Sequence, residues 1–259
     1  MIVFTGSGKI AEAFSKKFPC MIISARKETE DKLIGSIKKA SVIIHNAALI
    51  YSDHIDDFIT SNLDLTKRIV RLIEAHNPEV RFINISSMSF LKDEFHYQDM
   101  NDMSPYAFSK AISEQYVIRK QLKNSCNVRF STLFYKDKSR DGLSHLIHRA
   151  ATESQVQIYN HGKASRDFIP LEIAMDYLYT VANNSQLQGN INVASGKATT
   201  FADVVRILSE LNPELLVTNK EAQTLSVLSK FSKKETAKIS SLEYELFDHI
   251  KEFYQECKS

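Results

Sequence analysis

The N-terminal stretch IVFTGSGKIA, Ile2 to Ala11, decides the fold. Its start, Ile2 to Phe4, is typical of a buried strand, and the apolar residues that recur from Ala11 to Phe18 predict a helix. The turn between them has the pattern G-x-G-x-x-A. Such a turn offers backbone N–H groups at the positive end of a helix, where the phosphates of a dinucleotide can bind. Glycines also mark ordinary tight turns, so the context must separate the two interpretations.

Outward from this stretch, β-branched segments alternate with amphipathic ones. Further strands are predicted at Met21 to Ser24, Val42 to His45, Arg81 to Ser86 and Asn127 to Phe134. Further helices are predicted at Glu28 to Lys39, Ile59 to Ala75 and Pro105 to Leu122. This alternation predicts a doubly wound α/β fold with a parallel sheet. Only one helix fits between the second strand and Val42, so we predict that the usual third, edge strand is missing.

After Phe134 the pattern loosens into polar, mostly helical segments, with strands at Ile191 to Ala194 and Leu215 to Thr218. Thr200 is typical of a helix N-cap, and the helix that it opens should reach Leu211. We therefore predict a nucleotide-binding domain of residues 1–135, completed by 165–198. Residues 136–164 and 199–259 are predicted to form a small C-terminal substrate lobe.

The composition favours a small-molecule partner. Lysine and arginine number 33 against 31 acidic residues, without a long block of one sign, so neither nucleic acid nor a membrane surface is expected as a partner. The 3 cysteines are far apart and form no cluster with histidine, so no metal site is expected. The chain begins with a strand and has no long apolar run, so we expect a cytoplasmic protein.

The first turn and the end of the second strand carry the predicted cofactor site. In the turn, the residues expected at the pyrophosphate are Gly6, Ser7, Gly8, Lys9 and Ile10. After the second strand, an acid would accept bonds from a ribose 2′-hydroxyl, whereas a cation would pair with a 2′-phosphate. This chain has Arg26 and Lys27 there, which favours NADP(H) over NAD(H). The alternative interpretation is a solvated basic helix start.

The catalytic candidates are Ser87, Tyr106 and Lys110. A tyrosine four residues before a lysine lies on the same helix face, so the ammonium can favour the ionised phenol. The spacing occurs 4 times, and the other pairs begin at Tyr116, Tyr159 and Tyr254. Only Tyr106 follows a Ser-Pro helix start and a strand that ends in paired serines. In this arrangement Tyr106 would transfer a proton, while Ser87 would bind the reacting oxygen.

Motifs along nearly the whole chain strengthen this assignment. TGSGKIA, VIIHNAA, SNLDLTKRIV, INISS and SPYAFSK follow one another in the first half. NVRFSTLFY, IYNHGKASRDFIP and NINVASG follow in the second. In this order the motifs resemble those of the extended short-chain dehydrogenase/reductase family, the NAD(P)-dependent epimerases, dehydratases and reductases of nucleotide sugars, which have a Rossmann fold.

The resemblance implies further site residues. It places Asn46, Ala47 and Ala48 beside the cofactor, together with Tyr106 and Lys110. It implies that Arg166 meets the diphosphate of a nucleotide-sugar substrate, although a structural ion pair with Asp167 is the alternative. Thr132 stands where the family has an asparagine that holds the substrate nucleotide, and the first loop is one residue shorter than the family's.

Three functions remain open at this stage. An NADPH-dependent reductase of a nucleotide-linked 4-keto-deoxysugar is favoured, because the short loop, the missing strand and Arg26 suit a cofactor that is exchanged in each cycle. An NDP-hexose 4-epimerase that retains NAD is the first alternative. A non-catalytic, nucleotide-binding regulatory protein is the second. The resemblance also allows a homodimer formed through the helices at Ile59 to Ala75 and Pro105 to Leu122.

Overall fold

The computed structural model describes residues 1–93, 96–138, 141–222 and 244–259. The chain divides into two compact units. The first comprises Met1–Leu91, Phe95–Phe130 and Met175–Val193, and the second comprises Lys92–Glu94, Ser131–Ala174 and Ala194–Ser259. The second unit thus takes in 131–135, 165–174 and 194–198, which the sequence boundaries assigned to the nucleotide-binding domain. The functions assigned to the two parts stay predictions.

The strands of the described residues, in chain order, are β1 (Ile2–Phe4), β2 (Met21–Ile22), β3 (Val42–His45), β4 (Arg81–Ser87), β5 (Ser125–Phe130), β6 (Thr132–Phe134), β7 (Gln155–Tyr159), β8 (Ser165–Arg166), β9 (Phe168–Pro170), β10 (Gly189–Val193), β11 (Thr199–Thr200) and β12 (Leu216–Lys220). The α-helices are α1 (Lys9–Lys17), α2 (Glu30–Lys39), α3 (Ile55–Phe58), α4 (Leu65–His76), α5 (Pro105–Lys120), α6 (Gly142–Thr152), α7 (Leu171–Asn183), α8 (Phe201–Leu211) and α9 (Leu246–Lys258). Among these helices none is long and apolar enough to span a membrane.

The first unit is built on a parallel sheet of 6 strands in the order β10-β5-β4-β3-β1-β2. The predicted doubly wound fold is confirmed, and so is its abbreviated edge, because β2 ends the sheet and a single helix, α2, leads from β2 to β3. Parallel strands put their carboxyl ends on one edge of the sheet, where ligands of this fold class bind.

Helices cover both faces of this sheet. Successive side chains of a strand point to opposite faces. Phe4 contacts the ring of Phe14 on α1, whereas its neighbour Val3 lies in a core cluster with residues of α2 and α4. In that cluster Leu33 and Ile37 of α2 are fully buried. Helix α2 therefore packs with α4 on the face opposite α1.

The second unit has its own apolar core, to which α6, α8 and α9 contribute. Tyr254 and Ile250 of α9 are fully buried there with Ile147 of α6. As predicted, Thr200 caps α8, and its hydroxyl accepts a hydrogen bond from the backbone N–H of Asp203 at 3.0 Å. The Asp203 carboxylate bonds back to the Thr200 N–H at 3.1 Å, which completes a capping box.

The prediction of one strand from Asn127 to Phe134 is wrong. β5 ends at Phe130 in the central sheet, and β6 begins at Thr132 and pairs with β9 instead. The backbone N–H of Thr132 donates to the carbonyl of Asp167 at 3.0 Å. Since β4, the partner of β5, ends at Ser87, the chain beyond Phe130 finds its hydrogen bonds elsewhere. Thr132 therefore belongs to a different sheet from the one that the alternation predicted.

Candidate active site

The turn from β1 to α1 has the geometry of a phosphate loop. Gly8 is the N-cap of α1, and no side chain bonds to the first amides of the helix at this cap. The positive end of the helix macrodipole therefore faces the turn. Ser7 and Gly8 are exposed, whereas Lys9 and Ile10 are half-buried. The predicted pyrophosphate residues thus occupy one loop and the start of one helix.

Gly6 and Gly8 are glycines for different reasons. A Cβ atom on Gly6 would lie 2.9 Å from the backbone nitrogen and Cα of Ala47, so the loops after β1 and β3 touch there. A Cβ atom on Gly8 would meet no atom within 4 Å, and its φ of -84° suits any residue. Nothing in the described fold requires Gly8 to be a glycine. A bound group that needs this space would explain it.

The loop after β3 brings a polar atom to the same place. The Oδ1 atom of Asn46 is buried and has no hydrogen-bond partner among the described residues. A buried acceptor without a partner is costly, so a ligand that donates a hydrogen bond would stabilise it. Ala47 and Ala48 continue this loop and are half-buried. These residues therefore fit the dinucleotide that the sequence predicts.

Asn62 holds the end of this loop. Its Oδ1 accepts from the Leu49 N–H at 2.6 Å, and its Nδ2 donates to the Leu49 carbonyl at 3.0 Å. The same Nδ2 donates to the hydroxyl of Ser109 on α5 at 2.8 Å. Asn62 lies inside a π-helical turn, Ile59–Asp64, that joins α3 to α4. The predicted helix start at Ile59 is therefore wrong, because α3 begins at Ile55, and Asn62 anchors the loop after β3.

Sequence reasoning assigned no role to His45, which the structure buries at the end of β3. Its Nδ1 lies 2.6 Å from the Thr5 hydroxyl, and its Nε2 lies 3.0 Å from the Thr66 hydroxyl. Burial and the cations of Lys110 and Arg26 lower the pKa of His45 to about 3. His45 is therefore a neutral imidazole beneath the site. Its partners are 40 and 21 residues away in sequence, so no local motif identifies it.

Ser87 and Tyr106 meet at the carboxyl edge of the sheet. Ser87 ends β4, and Tyr106 lies in the first turn of α5 after the N-cap Ser104 and Pro105. The Ser104 hydroxyl accepts from the Ala107 N–H at 3.2 Å, as its position predicts. Ser87 partly offsets the rise in the Tyr106 pKa that burial causes, and its own hydroxyl donates to the hydroxyl of Ser89 at 2.9 Å.

Lys110 follows one turn later on the same helix and is 4% exposed. Its Nζ atom donates to the carbonyl oxygen of Ile85 in β4 at 2.6 Å. This bond holds the ammonium against β4, at the residue two positions before Ser87. Burial lowers the pKa of Lys110 to about 8, although Glu114 opposes this shift. The structure therefore brings the three predicted catalytic side chains to one corner between β4 and α5.

A buried ion pair between Glu114 and Arg129 lies next to this corner. Glu114 is fully buried on α5, and the Nε atom of Arg129 on β5 donates to its carboxylate at 2.9 Å. The Ser86 hydroxyl donates to the same carboxylate at 2.6 Å, and the Tyr97 phenol does so at 2.9 Å. Ser86 directly precedes Ser87, so this network fixes the end of β4.

The other Tyr-x-x-x-Lys pairs have different surroundings. Tyr254 is fully buried in the core of the second unit. Tyr159 is 52% exposed on β7. The Nζ atom of Lys120, the partner of Tyr116, donates to the Glu74 carboxylate at 2.9 Å. The strand-end serine that accompanies Tyr106 therefore distinguishes it from these three tyrosines.

The two predicted substrate residues of the second unit, Thr132 and Arg166, lie at the start of β6 and in β8. An Nη1 atom of Arg166 donates to the Ser165 carbonyl at 2.8 Å. The Asp167 carboxylate accepts from the backbone N–H groups of Ser195 and Gly196 at 2.9 and 2.7 Å. Asp167 thus anchors the turn after β10, and its role in the fold does not depend on Arg166.

No metal was expected, and the described residues hold one group with metal-ligand character. Glu172, His249 and Glu252 lie together in the second unit. The Nζ atom of Lys136 is 3.0 Å from the Glu172 carboxylate and also bonds to Glu252. The ammonium thus already supplies a positive charge to both carboxylates.

Comparison with known proteins identifies the family. Residues 10–194 match the model of the NAD dependent epimerase/dehydratase family. No curated protein sequence matches the chain. Solved structures with the same fold include MoeE5 in complex with UDP-glucose and NAD, with a TM-score of 0.82, 18% identity and coverage of 100% of this chain and 99% of that chain.

Two further structures have similar folds. The ADP-L-glycero-D-manno-heptose-6-epimerase of Helicobacter pylori has a TM-score of 0.80 and 16% identity, over 100% of this chain and 96% of that one. RMD from Pseudomonas aeruginosa, solved with NADPH, has a TM-score of 0.77 and 13% identity, over 99% and 98%. The family match covers more than half of the sequence, and the motifs and the fold agree with it. The chain therefore belongs to the NAD dependent epimerase/dehydratase family, within the extended short-chain dehydrogenases/reductases, and is an oxidoreductase-type enzyme.

Proposed function

We propose that this enzyme is an NADPH-dependent reductase of a nucleotide-linked 4-keto-deoxysugar. The observation that carries the proposal is the placement of Ser87 at the end of β4 and of Tyr106 in the first turn of α5, with the Lys110 ammonium one helical turn later and bonded to the Ile85 carbonyl of β4 at 2.6 Å. A bound reduced nicotinamide would supply hydride at this corner. The protein's part of the reaction is then to hold the ketone oxygen and to deliver a proton to it.

The side chains of the site suit these two tasks, holding the ketone oxygen and delivering the proton. Burial raises the pKa of Tyr106, so the phenol is protonated at neutral pH and can donate its proton to the ketone oxygen. Ser87 would hold that oxygen by a hydrogen bond. The Lys110 ammonium would stabilise the phenolate that Tyr106 becomes. Because the pKa of Lys110 is about 8, the rate of reduction should fall above that pH as the ammonium loses its proton.

NADPH is proposed on the charge that follows β2. Gly6, Gly8 and Asn46 would hold the dinucleotide, and Arg26 is exposed where the 2′-phosphate of NADPH would lie. The solved neighbours include complexes with NAD and with NADPH, so a nicotinamide cofactor suits the fold while the preference rests on Arg26.

A nucleotide sugar is proposed as the substrate because structural neighbours have been solved with UDP-glucose and UDP-glucuronic acid. Arg166 would pair with the diphosphate through its planar, permanently charged fork, and Thr132 would lie near the base. A dehydratase is disfavoured because Met88 and Ser89 follow Ser87. Neither side chain can shuttle the protons of water elimination at neutral pH.

The test is to mix the protein, NADPH and a panel of nucleotide-linked 4-keto-6-deoxysugars. Stoichiometric loss of reduced-nicotinamide absorbance with formation of a reduced sugar is the expected result. Tyr106→Phe should abolish this turnover while leaving cofactor affinity within a few-fold. Tyr116→Phe, Tyr159→Phe and Tyr254→Phe are matched controls, and each should retain most of the activity.

The same assay contains the outcomes that contradict the proposal. Interconversion of nucleotide hexoses without net cofactor change would establish the 4-epimerase instead. Loss of activity in one control variant alone would move the active site to that tyrosine. Binding of nucleotides without turnover of any substrate on the panel would favour the regulatory alternative.

A further inference from the structure

The abbreviated sheet brings an arginine of α4 to the end of β2. The Nη1 atom of Arg68 donates to the backbone carbonyl of Ala25 at 3.1 Å. Ala25 is fully buried, and its own N–H donates to the Thr5 carbonyl at 3.1 Å. The Arg68 guanidinium is therefore fixed beside the residue that directly precedes Arg26. Since α2 packs with α4, no additional strand and helix separate α4 from this turn.

Most of the hydrogen-bonding capacity of Arg68 is unused within the described residues. A guanidinium has five N–H donors, and the bond to Ala25 uses one of them. An Nη2 atom lies 3.7 Å from a carboxylate oxygen of Glu30, whose side chain is 62% exposed. A pair this exposed and this long contributes little stability. The Arg68 side chain is itself 35% exposed, so its remaining donors can reach a ligand.

The surroundings of Arg68 form a cleft rather than a flat surface. Its volume is about 400 Å³, and its lining consists of Glu30, Asp64, Lys67, Arg68, Arg71 and Leu72. Three of these residues are cationic and two are acidic, and the acidic Asp64 pairs with Lys67 at 3.0 Å. Arg26 adds a further positive charge after β2. Such an arrangement suits an anion that carries more than one negative charge.

We propose that Arg68 binds the 2′-phosphate of NADP(H) together with Arg26 and so helps to determine the choice of cofactor. The inference rests on the proposed preference for NADPH. The carbonyl of Ala25 orients the guanidinium, which lowers the entropy cost of binding the phosphate. The phosphate displaces Glu30, since a dianion is the stronger partner for the guanidinium. Glu30 therefore competes with the 2′-phosphate for Arg68, which lowers the affinity for NADPH and leaves that for NADH unchanged.

The experiment measures binding rather than turnover. NADPH, NADH, adenosine 2′,5′-bisphosphate and 5′-AMP are titrated against the wild type and variants by calorimetry. Arg68→Gln should weaken NADPH and the bisphosphate by about tenfold, which corresponds to about 1.4 kcal/mol. It should leave NADH and 5′-AMP within about twofold. Arg68→Lys should retain most of the affinity because it keeps the charge, and Arg119→Gln, an exposed arginine at the end of α5, is the matched control.

A second variant changes affinity in the opposite direction. Glu30→Gln removes the competing carboxylate and should tighten NADPH by two- to threefold, without the loss of the Ala25 contact. A purely structural Arg68 would instead weaken all four ligands equally and lower the melting temperature in Arg68→Gln.

Two outcomes separate this inference from the proposed function. If the wild type prefers NADPH and Arg26→Asp abolishes that preference while Arg68→Gln does not change it, only the role of Arg68 is wrong. If the wild type binds NADH as tightly as NADPH, both the role of Arg68 and the proposed NADPH preference are wrong.

Discussion

At the scale of single residues, His45 shows how the site sets protonation states. The imidazole is 1% exposed and lies between two threonine hydroxyls. Lys110 and Arg26 both disfavour a second positive charge there, and burial disfavours it further. A neutral imidazole adds no further positive charge beside Lys110.

This protonation state predicts a pH dependence of stability. The pKa of His45 is about 3 in the folded protein, below its ordinary value of 6.5, so the unfolded chain binds the additional proton between these values. The free energy of unfolding should therefore fall as the pH falls from about 6.5 towards 3, by at most about 1.4 kcal/mol for each pH unit. Above 6.5 this contribution is constant.

Urea unfolding at several pH values measures this effect. His45→Gln should have a shallower decline than the wild type over the same range, since glutamine does not titrate. His145→Gln is the control: replacing this exposed histidine on α6 should leave the slope of unfolding free energy against pH unchanged. Equal slopes for the wild type and His45→Gln would show that His45 takes up no proton on unfolding.

Residue by residue, the sequence predicted the side chains that stand at the ends of local motifs. Ser87 ends a β-branched strand, and Tyr106 follows a Ser-Pro pair, so their positions at the carboxyl edge of the sheet follow from neighbouring residues. His45 and Arg68 depend on partners from other elements, at separations of 40 and 43 residues. Their roles could be recognised only after the helices had been placed on the sheet.

At the scale of elements, β4, β5 and α5 are connected by polar side chains inside the core. The buried Asn84 of β4 donates to the buried Asn127 of β5 at 2.9 Å, and Asn127 donates to the exposed Asn190 of β10 at 2.9 Å. Above this row lies the Glu114–Arg129 pair, which ties α5 to β5. Buried polar groups of this kind specify one register, because a slip by one residue would leave them without partners.

Removing one member of the buried pair should therefore be costly. Glu114→Gln leaves the guanidinium of Arg129, which is 5% exposed, without its counter-ion, and should lower the free energy of unfolding by about 3–5 kcal/mol. Glu74→Gln is the matched control, because it removes an exposed ion pair to Lys120 at the end of the same helix. That change should cost at most about 1 kcal/mol. Equal costs for the two variants, measured by urea unfolding, would contradict the structural role of the Glu114–Arg129 pair.

Element boundaries were predictable where capping or strand alternation is local. The predicted limits of β1 and β3 agree with the structure, and so does the start of α5. The break at Ser131 was missed because β-branched and aromatic residues continue through it. The π-helical turn Ile59–Asp64 was missed because the partners of its Asn62, Leu49 and Ser109, lie 13 and 47 residues away in sequence.

At the scale of the whole molecule, the first unit is sparsely built where the cofactor is predicted to bind. The outermost strand, β2, has 2 residues, and no side chain caps α1. The space at Gly8 is open. Fewer contacts with a dinucleotide mean faster dissociation, because differences in affinity lie mostly in the rate of release. This architecture suits an enzyme that exchanges its cofactor in every cycle.

The resulting prediction concerns the nucleotide that remains with the purified protein. Acid denaturation followed by chromatography should release well under one nicotinamide nucleotide per chain, whereas an epimerase that retains NAD would release close to one. Added NADPH should then stabilise the protein by mass action, by about 2.7 kcal/mol at a hundred times its dissociation constant.

The variant Gly8→Ala distinguishes an effect on NADPH binding from an effect on the stability of the fold. Its methyl group meets no protein atom within 4 Å, so the unliganded stability should change by less than about 1 kcal/mol, while the stabilisation by NADPH should be lost. If Gly8→Ala keeps the full stabilisation by NADPH, the dinucleotide does not bind at the turn between β1 and α1, and its phosphates do not lie at the N-terminus of α1.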